Sequence, residues 1–342
     1  MNNPFVTIMT VVLMLSIHVS ADAQQQRPRR PHFNPATPLV HDPVMAKCGD
    51  TFYLYSTGWG VSCMSSTDLK TWKMERSVFG RTPPQWATDL ISGYNGHTWA
   101  PDVIYANGLY HLYYSCSTFG KNHSAIGHAT SPTLDSTAVW TDHGMVVESV
   151  PGRDAWNAID PNVVFDDEGT PWMTFGSFWD GIKLFRLDKD MSRPAQPQQW
   201  TTIARRGHFR TDSLVTMQPP KNDAIEAPFI FKKNGYYFLL VSWDFCCRGA
   251  KSDYKVAMGR SKNVEGPYLD REGRRMDRGG GSILVQGDGH HFSGLGHCAA
   301  YTFDGKDYFV AHAYNMEKDG QSELFLRPIT WDKDGWPVVK AE

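Results

Sequence analysis

Beyond residue 38 the chain repeats one pattern five times: a polar or acidic start, an apolar run, a glycine turn and an aromatic-rich run. The copies are HDPVMAKCGDTFYLYS from His41, WAPDVIYANGLYHLYYS from Trp99, IDPNVVFDDEGTPWMTFGS from Ile159, IEAPFIFKKNGYYFLLVS from Ile225 and GHCAAYTFDGKDYFVAHAY from Gly296. Their turn glycines, Gly49, Gly108, Gly169, Gly235 and Gly305, stand 59, 61, 66 and 70 residues apart. Apolar and aromatic runs on either side of a glycine turn predict a hairpin in each copy. A further strand follows each hairpin, as in SAIGHATS and GIKLFRLD, and no long amphipathic helix is evident. About four strands per repeat in five repeats predicts an all-β, five-bladed β-propeller. Closing the ring would remove long exposed sheet edges. The propeller is expected over residues 39–342 as one domain. A β-sandwich, or two separate β domains, would show fewer regular copies.

The segment before the repeats has a different character. Phe5 to Val19 is mostly apolar and Ala21-Asp22-Ala23 fits a small-x-small cleavage site, so residues 1–23 read as a signal peptide. The stretch is short and interrupted for a membrane span. Export to the periplasm or the medium is expected, with no membrane span in the mature protein. Residues 24–38, QQQRPRRPHFNPATP, form a Pro-rich basic lead-in expected to be extended. Charge adds little: 34 Lys and Arg against 36 Asp and Glu leave a net charge of −2, which argues against a nucleic-acid partner. Aromatics make up 13% of the chain, which fits either a β-rich core or a sugar-binding cleft. Tyr53, Tyr110, Trp172, Tyr237 and Tyr308 recur just after the turn glycines and are expected to pack within blades. In an exported chain disulfides are allowed. Cys48 and Cys63, flanking the first hairpin, are the best bridge candidates, and Cys246-Cys247 is a candidate vicinal pair.

In a propeller, matching residues near the start of each innermost strand converge on the central channel. Those places hold Asp42, Asp102, Asp160, Glu226 and His297. A lone Asp-Pro is a strand-entry device, because proline restricts the preceding residue to extended geometry. Carboxylates at matching places crowd like charges around one channel, which points to catalysis or a metal site. Glycoside hydrolysis needs two carboxyls in opposite protonation states. Glu226 lies in the apolar frame IEAPFIF, where burial raises its pKa, and is assigned as general acid. Asp42 is assigned as general base and Asp160 as the group that tunes and orients the acid.

The ordered motifs HDP at His41, WAPD at Trp99, STFGKNHSAIG at Ser117, WNAIDPN at Trp156, FGSFWDGIKL at Phe175, IEAPF at Ile225 and WDFCCRG at Trp243 span nearly the whole mature chain. In these the sequence resembles glycoside hydrolase family 43, and within it the endo-α-1,5-L-arabinanases. The resemblance implies a five-bladed propeller, an inverting mechanism, and the same roles for Asp42, Asp160 and Glu226. It implies a calcium or similar ion in the channel, held by one histidine and waters, with His297 matching by position. Here GLGHCA stands where many relatives read a GPGHN-type segment. The implied substrates are arabinan and arabino-oligosaccharides, and a monomer is expected. From the same motifs Trp99, Phe119 and Trp179 are expected either to stack on sugar rings or to fill the propeller core. Asn157, Ala158 and Ile159 would present backbone and amide groups beside Asp160, and Ser177 and Phe178 lie in the matching loop. Gly127 would let the chain pass close to the sugar. Asn122-His123-Ser124, a formal glycosylation sequon, reads as binding structure. The rival readings are an exo-acting α-L-arabinofuranosidase or β-xylosidase of the same family, and a carbohydrate-binding propeller without turnover.

Overall fold

Every repeat folds into an antiparallel sheet in which chain order is spatial order. A computed structural model describes residues 33–206 and 224–341; the expected signal peptide, 1–23, and the lead-in as far as residue 32 lie outside them. Blade one comprises Val44–Cys48, Thr51–Ser56, Ser62–Ser66 and Lys73–Met74. Blade two comprises His97–Ala106, Leu109–Cys116, Ser124–Ser131 and Thr141–Ser149, with the short Gly58–Trp59 strand paired to its first strand. Blade three comprises Asn162–Phe165, Pro171–Phe175, Ile182–Arg186 and Thr201–Ala204. Blade four comprises Ile225–Lys233, Tyr236–Trp243, Lys255–Ser261 and Ser282–Gln286. Blade five is built from Phe292–Phe303, Lys306–Asn315 and Gln321–Pro328. The arrangement is the five-bladed propeller that the repeats predict. Among the described residues, no helix is long and apolar enough to cross a membrane.

The turn chemistry explains the hairpins. All five turn glycines have positive φ, between 58° and 80°. In blades two, four and five the preceding Asn107, Asn234 and Asp304 are also left-handed, giving two-residue loops whose twist matches the flanking strands. The cores lie between blades. One cluster joins Val164, Ile182 and Leu184 of blade three to Ile230, Leu239 and Val241 of blade four; another joins Tyr113 and Ile126 to Met173 and Phe185. Tyr53, Tyr110 and Tyr237 are buried as expected, whereas Trp172 and Tyr308 are half-buried.

One expectation is corrected: the Cys48–Cys63 bridge does not form. Residues 38–40, where the expected lead-in meets the expected propeller, close the ring. Val40 N–H donates to Ser322 O (3.2 Å), Leu324 N–H donates to Pro38 O (3.0 Å), and Leu39 bridges Glu323. The N-terminal segment thus supplies the outer strand of the last blade. Cys48 and Cys63 are free, because the register separates them: Cys48 faces Thr51 while Cys63 faces Tyr55, four residues further along the shared strand and about 13 Å away. The disulfide joins Cys246 and Cys247 instead.

Candidate active site

One residue per blade takes a left-handed backbone at the mouth of the channel: Asp42 (φ 54°), Ala100 (41°), Asp160 (60°), Ala227 (54°) and His297 (48°). The first four precede a proline, so the extended geometry expected there does not hold. In blades two, four and five the residue sits in a β-bulge. Trp99 faces Ser115 but Asp102 faces Tyr113; Glu226 faces Ser242 but Phe229 faces Leu240; Gly296 faces His312 but Ala299 faces Val310. A bulge adds one residue and re-aims the side chains beside it. This changes the correspondence read from the sequence. Asp42, Asp160 and His297 are equivalent, but Glu226 stands one place earlier, in register with His41 and Trp99. Asp102 stands two places later. It is buried, accepts Val163 N–H (2.7 Å) and the Asn162 amide (3.2 Å), and is raised by burial to about 7.

Each left-handed residue is fastened by a side chain from the preceding blade. Ala100 N–H donates to Thr57 Oγ1 (2.8 Å), Asp160 N–H to Ser115 Oγ (3.0 Å) and His297 N–H to Ser242 Oγ (2.8 Å). Asp42 N–H donates to His312 Nδ1 (3.1 Å), and Ala227 N–H to Asp160 Oδ2 (3.1 Å). Such backbone strain is retained only where neighbours over-determine it, and it clusters at functional sites.

Asp42 is held on both oxygens. Thr57 Oγ1 donates to Oδ2 (2.5 Å), while His41 Nδ1 and His297 Nδ1 each lie 3.1 Å from Oδ1. Burial opposes its ionisation, but the His297 and His41 imidazoles hold it well below the usual carboxylate range. Burial is the largest single influence on His41 and lowers it, yet the Asp42 charge and hydrogen bond together with the Glu226 charge outweigh it and His41 is raised. Burial lowers His297 and His312. His312 is therefore neutral; its Nδ1 accepts from Asp42 N–H, so its proton sits on Nε2, which is buried without a partner among the described residues. Tyr314 OH bonds His41 Nε2 (2.7 Å) and accepts Cys247 N–H (2.7 Å), linking the vicinal disulfide to the Asp42 network.

The other two carboxyls shift the opposite way. Burial raises Glu226, while hydroxyls from Tyr254 (2.6 Å to Oε1) and Ser177 (2.7 Å to Oε2) work against it. Asp160 is raised further, by burial and then by the charges of Glu226 and Asp42. Asp160 Oδ2 also accepts the N–H of Ala227, the residue next to Glu226. The site thus sets one carboxylate held low against two carboxyls pushed up. That is the division of labour glycoside hydrolysis requires.

The sequence model of glycosyl hydrolases family 43 matches residues 34–337. The chain belongs to this family. It is 49% identical over 303 residues, 88% of this chain and 86% of the relative, to the extracellular exo-α-(1→5)-L-arabinofuranosidase ArbA of Cellvibrio japonicus. It is 41% identical, over 87% of each chain, to the extracellular endo-α-(1→5)-L-arabinanase 1 of Bacillus subtilis. Among solved structures, the Cellvibrio cellulosa α-L-arabinanase complexed with arabinohexaose superposes with a TM-score of 0.85, at 47% identity, covering 89% of this chain and 96% of that one.

Within this family 43 fold, the other anticipated residues divide into rim and scaffold. Phe119 is 81% exposed and Trp99 half-buried, with its Nε1–H donated to His97 Nδ1 (3.0 Å). Trp179 is half-buried, with its Nε1 buried and unpartnered among the described residues. Phe178 donates its N–H to Ile225 O (2.7 Å), beside Glu226. Asn157, Ala158 and Ile159 are buried scaffold. Asn157 Oδ1 accepts Ser124 Oγ–H (2.7 Å), Ala158 N–H donates to Ser149 Oγ (2.9 Å), and Ile159 O accepts Gly176 N–H (2.9 Å). Gly127 makes room for the Tyr114 ring: a Cβ there would lie 2.3 Å from Tyr114 Cζ. Asn122 is buried and donates to Asp154 O and Trp156 O, so the sequon is structural. Sequence reasoning missed Thr57, Tyr254, Tyr314 and His312, and also Trp59. The Trp59 ring is 59% exposed, edge-on to His97 at 5.6 Å, and two residues from Thr57.

His297 directs Nδ1 at Asp42 Oδ1 (3.1 Å). Among the described residues, the potential metal-donor atoms that come within 4.8 Å of one another belong to His41, Asp42 and His312. Two imidazoles and one carboxylate suit a borderline ion; calcium takes six to eight oxygens. A calcium ion held at His297 would therefore take its oxygens from waters.

Proposed function

We propose that this protein hydrolyses internal α-1,5-L-arabinofuranosidic bonds of arabinan with inversion. Asp42 is the general base, Glu226 the general acid and Asp160 the group that sets the acid's pKa. The observation that carries this is the opposite displacement of the carboxyls within one buried cluster: Asp42 held low, Glu226 and Asp160 pushed up. Asp42 takes a proton from the attacking water as that water adds to the anomeric carbon. Glu226 gives its proton to the departing glycosidic oxygen. An inverting pair leaves room for the water, with carboxyls about 6.5–9.5 Å apart. The names of the Cellvibrio and Bacillus relatives support arabinan as substrate, and the word extracellular in both supports export through residues 1–23. Exposed rings at Trp59 and Phe119 support a substrate longer than one sugar.

Exo action is the second reading, favoured by the name of the 49%-identical Cellvibrio relative. Digestion of debranched linear arabinan separates the two. A ladder of oligosaccharides early in the reaction supports endo cleavage, and a single small product from the first time point supports exo cleavage. NMR of the first-formed anomer tests inversion.

A further inference from the structure

The loop between the second and third strands of blade three, residues 176–181, is held in a costly conformation. Gly176 (φ 133°), Phe178 (55°), Trp179 (41°) and Gly181 (76°) all have positive φ. A Cβ at Gly181 would lie 2.3 Å from Ala204 O, so the loop is also pressed against the blade. At its front the loop delivers Ser177, whose backbone bridges Glu226 and whose Oγ donates to Glu226 Oε2 at 2.7 Å. At its back stands Asp180. Its carboxylate accepts from Lys183 Nζ on Oδ2 (2.5 Å), from Arg205 Nε on Oδ1 (2.8 Å) and from Arg205 Nη2 on Oδ2 (2.8 Å). Lys183 also donates to Thr202 Oγ1 (2.7 Å), and Asp180 N–H donates to Ala155 O (2.9 Å). The Lys183 and Asp180 side chains are only 6% and 10% exposed.

Buried ions are poor stabilisers; apolar side chains of similar volume usually serve the fold as well or better. Three charges behind a six-residue turn call for another reason, and the side chain that turn places on the Glu226 carboxyl is Ser177. We infer that Asp180, Lys183 and Arg205 form a clamp that seats the Ser177 hydroxyl on Glu226, which makes Asp180 a positioning residue for proton donation. The inference rests on the assignment of Glu226 as general acid. Tyr254 holds Oε1 and Ser177 holds Oε2, so the clamp fixes the rotation of the carboxyl. When it is released, Glu226 turns out of line with the leaving oxygen while the Asp42 side of the site is untouched.

Leaving-group dependence tests this. Asp180→Asn is compared with wild type on two arabinotriosides, one with an alkyl leaving group and one with a 2,4-dinitrophenyl group that departs without protonation. Circular dichroism and the melting temperature report folding. The expected result is a fall in kcat of about tenfold or more on the alkyl glycoside, with little change on the dinitrophenyl glycoside. Ser177→Ala should show the same selectivity, and the double variant no more than either single one. Should Asp180→Asn fail to fold, Arg205→Lys, which keeps the charge but loses the two-pronged contact, is read in the same way. Equal loss on both substrates, or no loss, overturns the clamp. Glu226→Ala is the control. Without leaving-group selectivity in that variant the acid assignment itself fails; with selectivity there and none in Asp180→Asn, the clamp alone fails.

Discussion

The Thr57 hydroxyl gives its proton to Asp42 Oδ2 at 2.5 Å while accepting Ala100 N–H at 2.8 Å, so one side chain ties the proposed base to the bulge of the next blade. Thr57→Val keeps the shape and removes both bonds. A hydrogen bond to a charged group contributes about 1.5–3 kcal/mol, so kcat/KM should fall by roughly tenfold or more, with a lower melting temperature. Thr57→Ser should restore most of both. Full activity in the valine variant would show that Asp42 does not depend on this donor.

The raised Asp160 and Glu226 carboxyls make a pH prediction with a definite sign. Asp160 and Glu226 have raised pKa values in the folded state, so the unfolded chain releases protons that the folded one retains. Stability from this source is complete below the ordinary carboxylate range and is lost as pH rises through the folded-state values. Asp160→Asn removes the like-charge strain, and its amide oxygen can still accept Ala227 N–H. The variant should melt a few degrees higher than wild type at pH 8 and about equally at pH 4, while losing most activity. A variant less stable at pH 8 than wild type would contradict the assigned shifts.

Much of this site was legible in the sequence for a simple reason: the repeat marks its own channel. Asp42 and Asp160 stand directly before a proline, and Glu226 two residues before one, each at the head of an apolar run. What misled was aligning acid on acid. Aligning on Pro43, Pro101, Pro161 and Pro228 places Ala100 and Ala227 opposite Asp42 and Asp160, and puts His41 and Trp99 in register with Glu226. The bulge that makes this the true register depends on inter-strand pairing, which no local pattern reports. Thr57, Tyr254 and Tyr314 were invisible for a related reason. Thr57 leaves a second strand, Tyr314 lies in one and Tyr254 leads into a third, each outside the motif that carries the carboxyl it joins. The Cys48–Cys63 expectation failed because hairpin proximity says nothing about which end of the hairpin a residue occupies.

Trp59 tests whether the rim binds sugar. Its ring is largely exposed, and His97 links it to Trp99. An exposed indole removed from the surface costs little stability, whereas a lost aromatic contact costs about 0.5–1.5 kcal/mol of binding. Trp59→Ala should raise KM for long arabinan by roughly three- to tenfold, with little change in melting temperature or in kcat on a short aryl arabinoside. An unchanged KM on the polymer would place Trp59 outside the substrate path.

Ring closure makes the last prediction. Residues 38–40 complete blade five through Val40 N–H to Ser322 O and Leu324 N–H to Pro38 O, with Ser322 Oγ donating to Val40 O at 2.5 Å. Pro35 O also accepts Trp72 N–H (2.9 Å), fastening the same segment to blade one. A chain starting at residue 34 keeps all four contacts, and one starting at residue 41 keeps none. At about 1 kcal/mol per bond the shorter chain loses roughly 4 kcal/mol. At about 2–4 °C per kcal/mol, its melting temperature should fall by roughly 10 °C. It also exposes the unpaired edge of Gln321–Pro328, a template for pairing with another chain. Light scattering should therefore show self-association of the shorter chain only. Equal melting of the two chains would mean that blade five closes without its N-terminal strand.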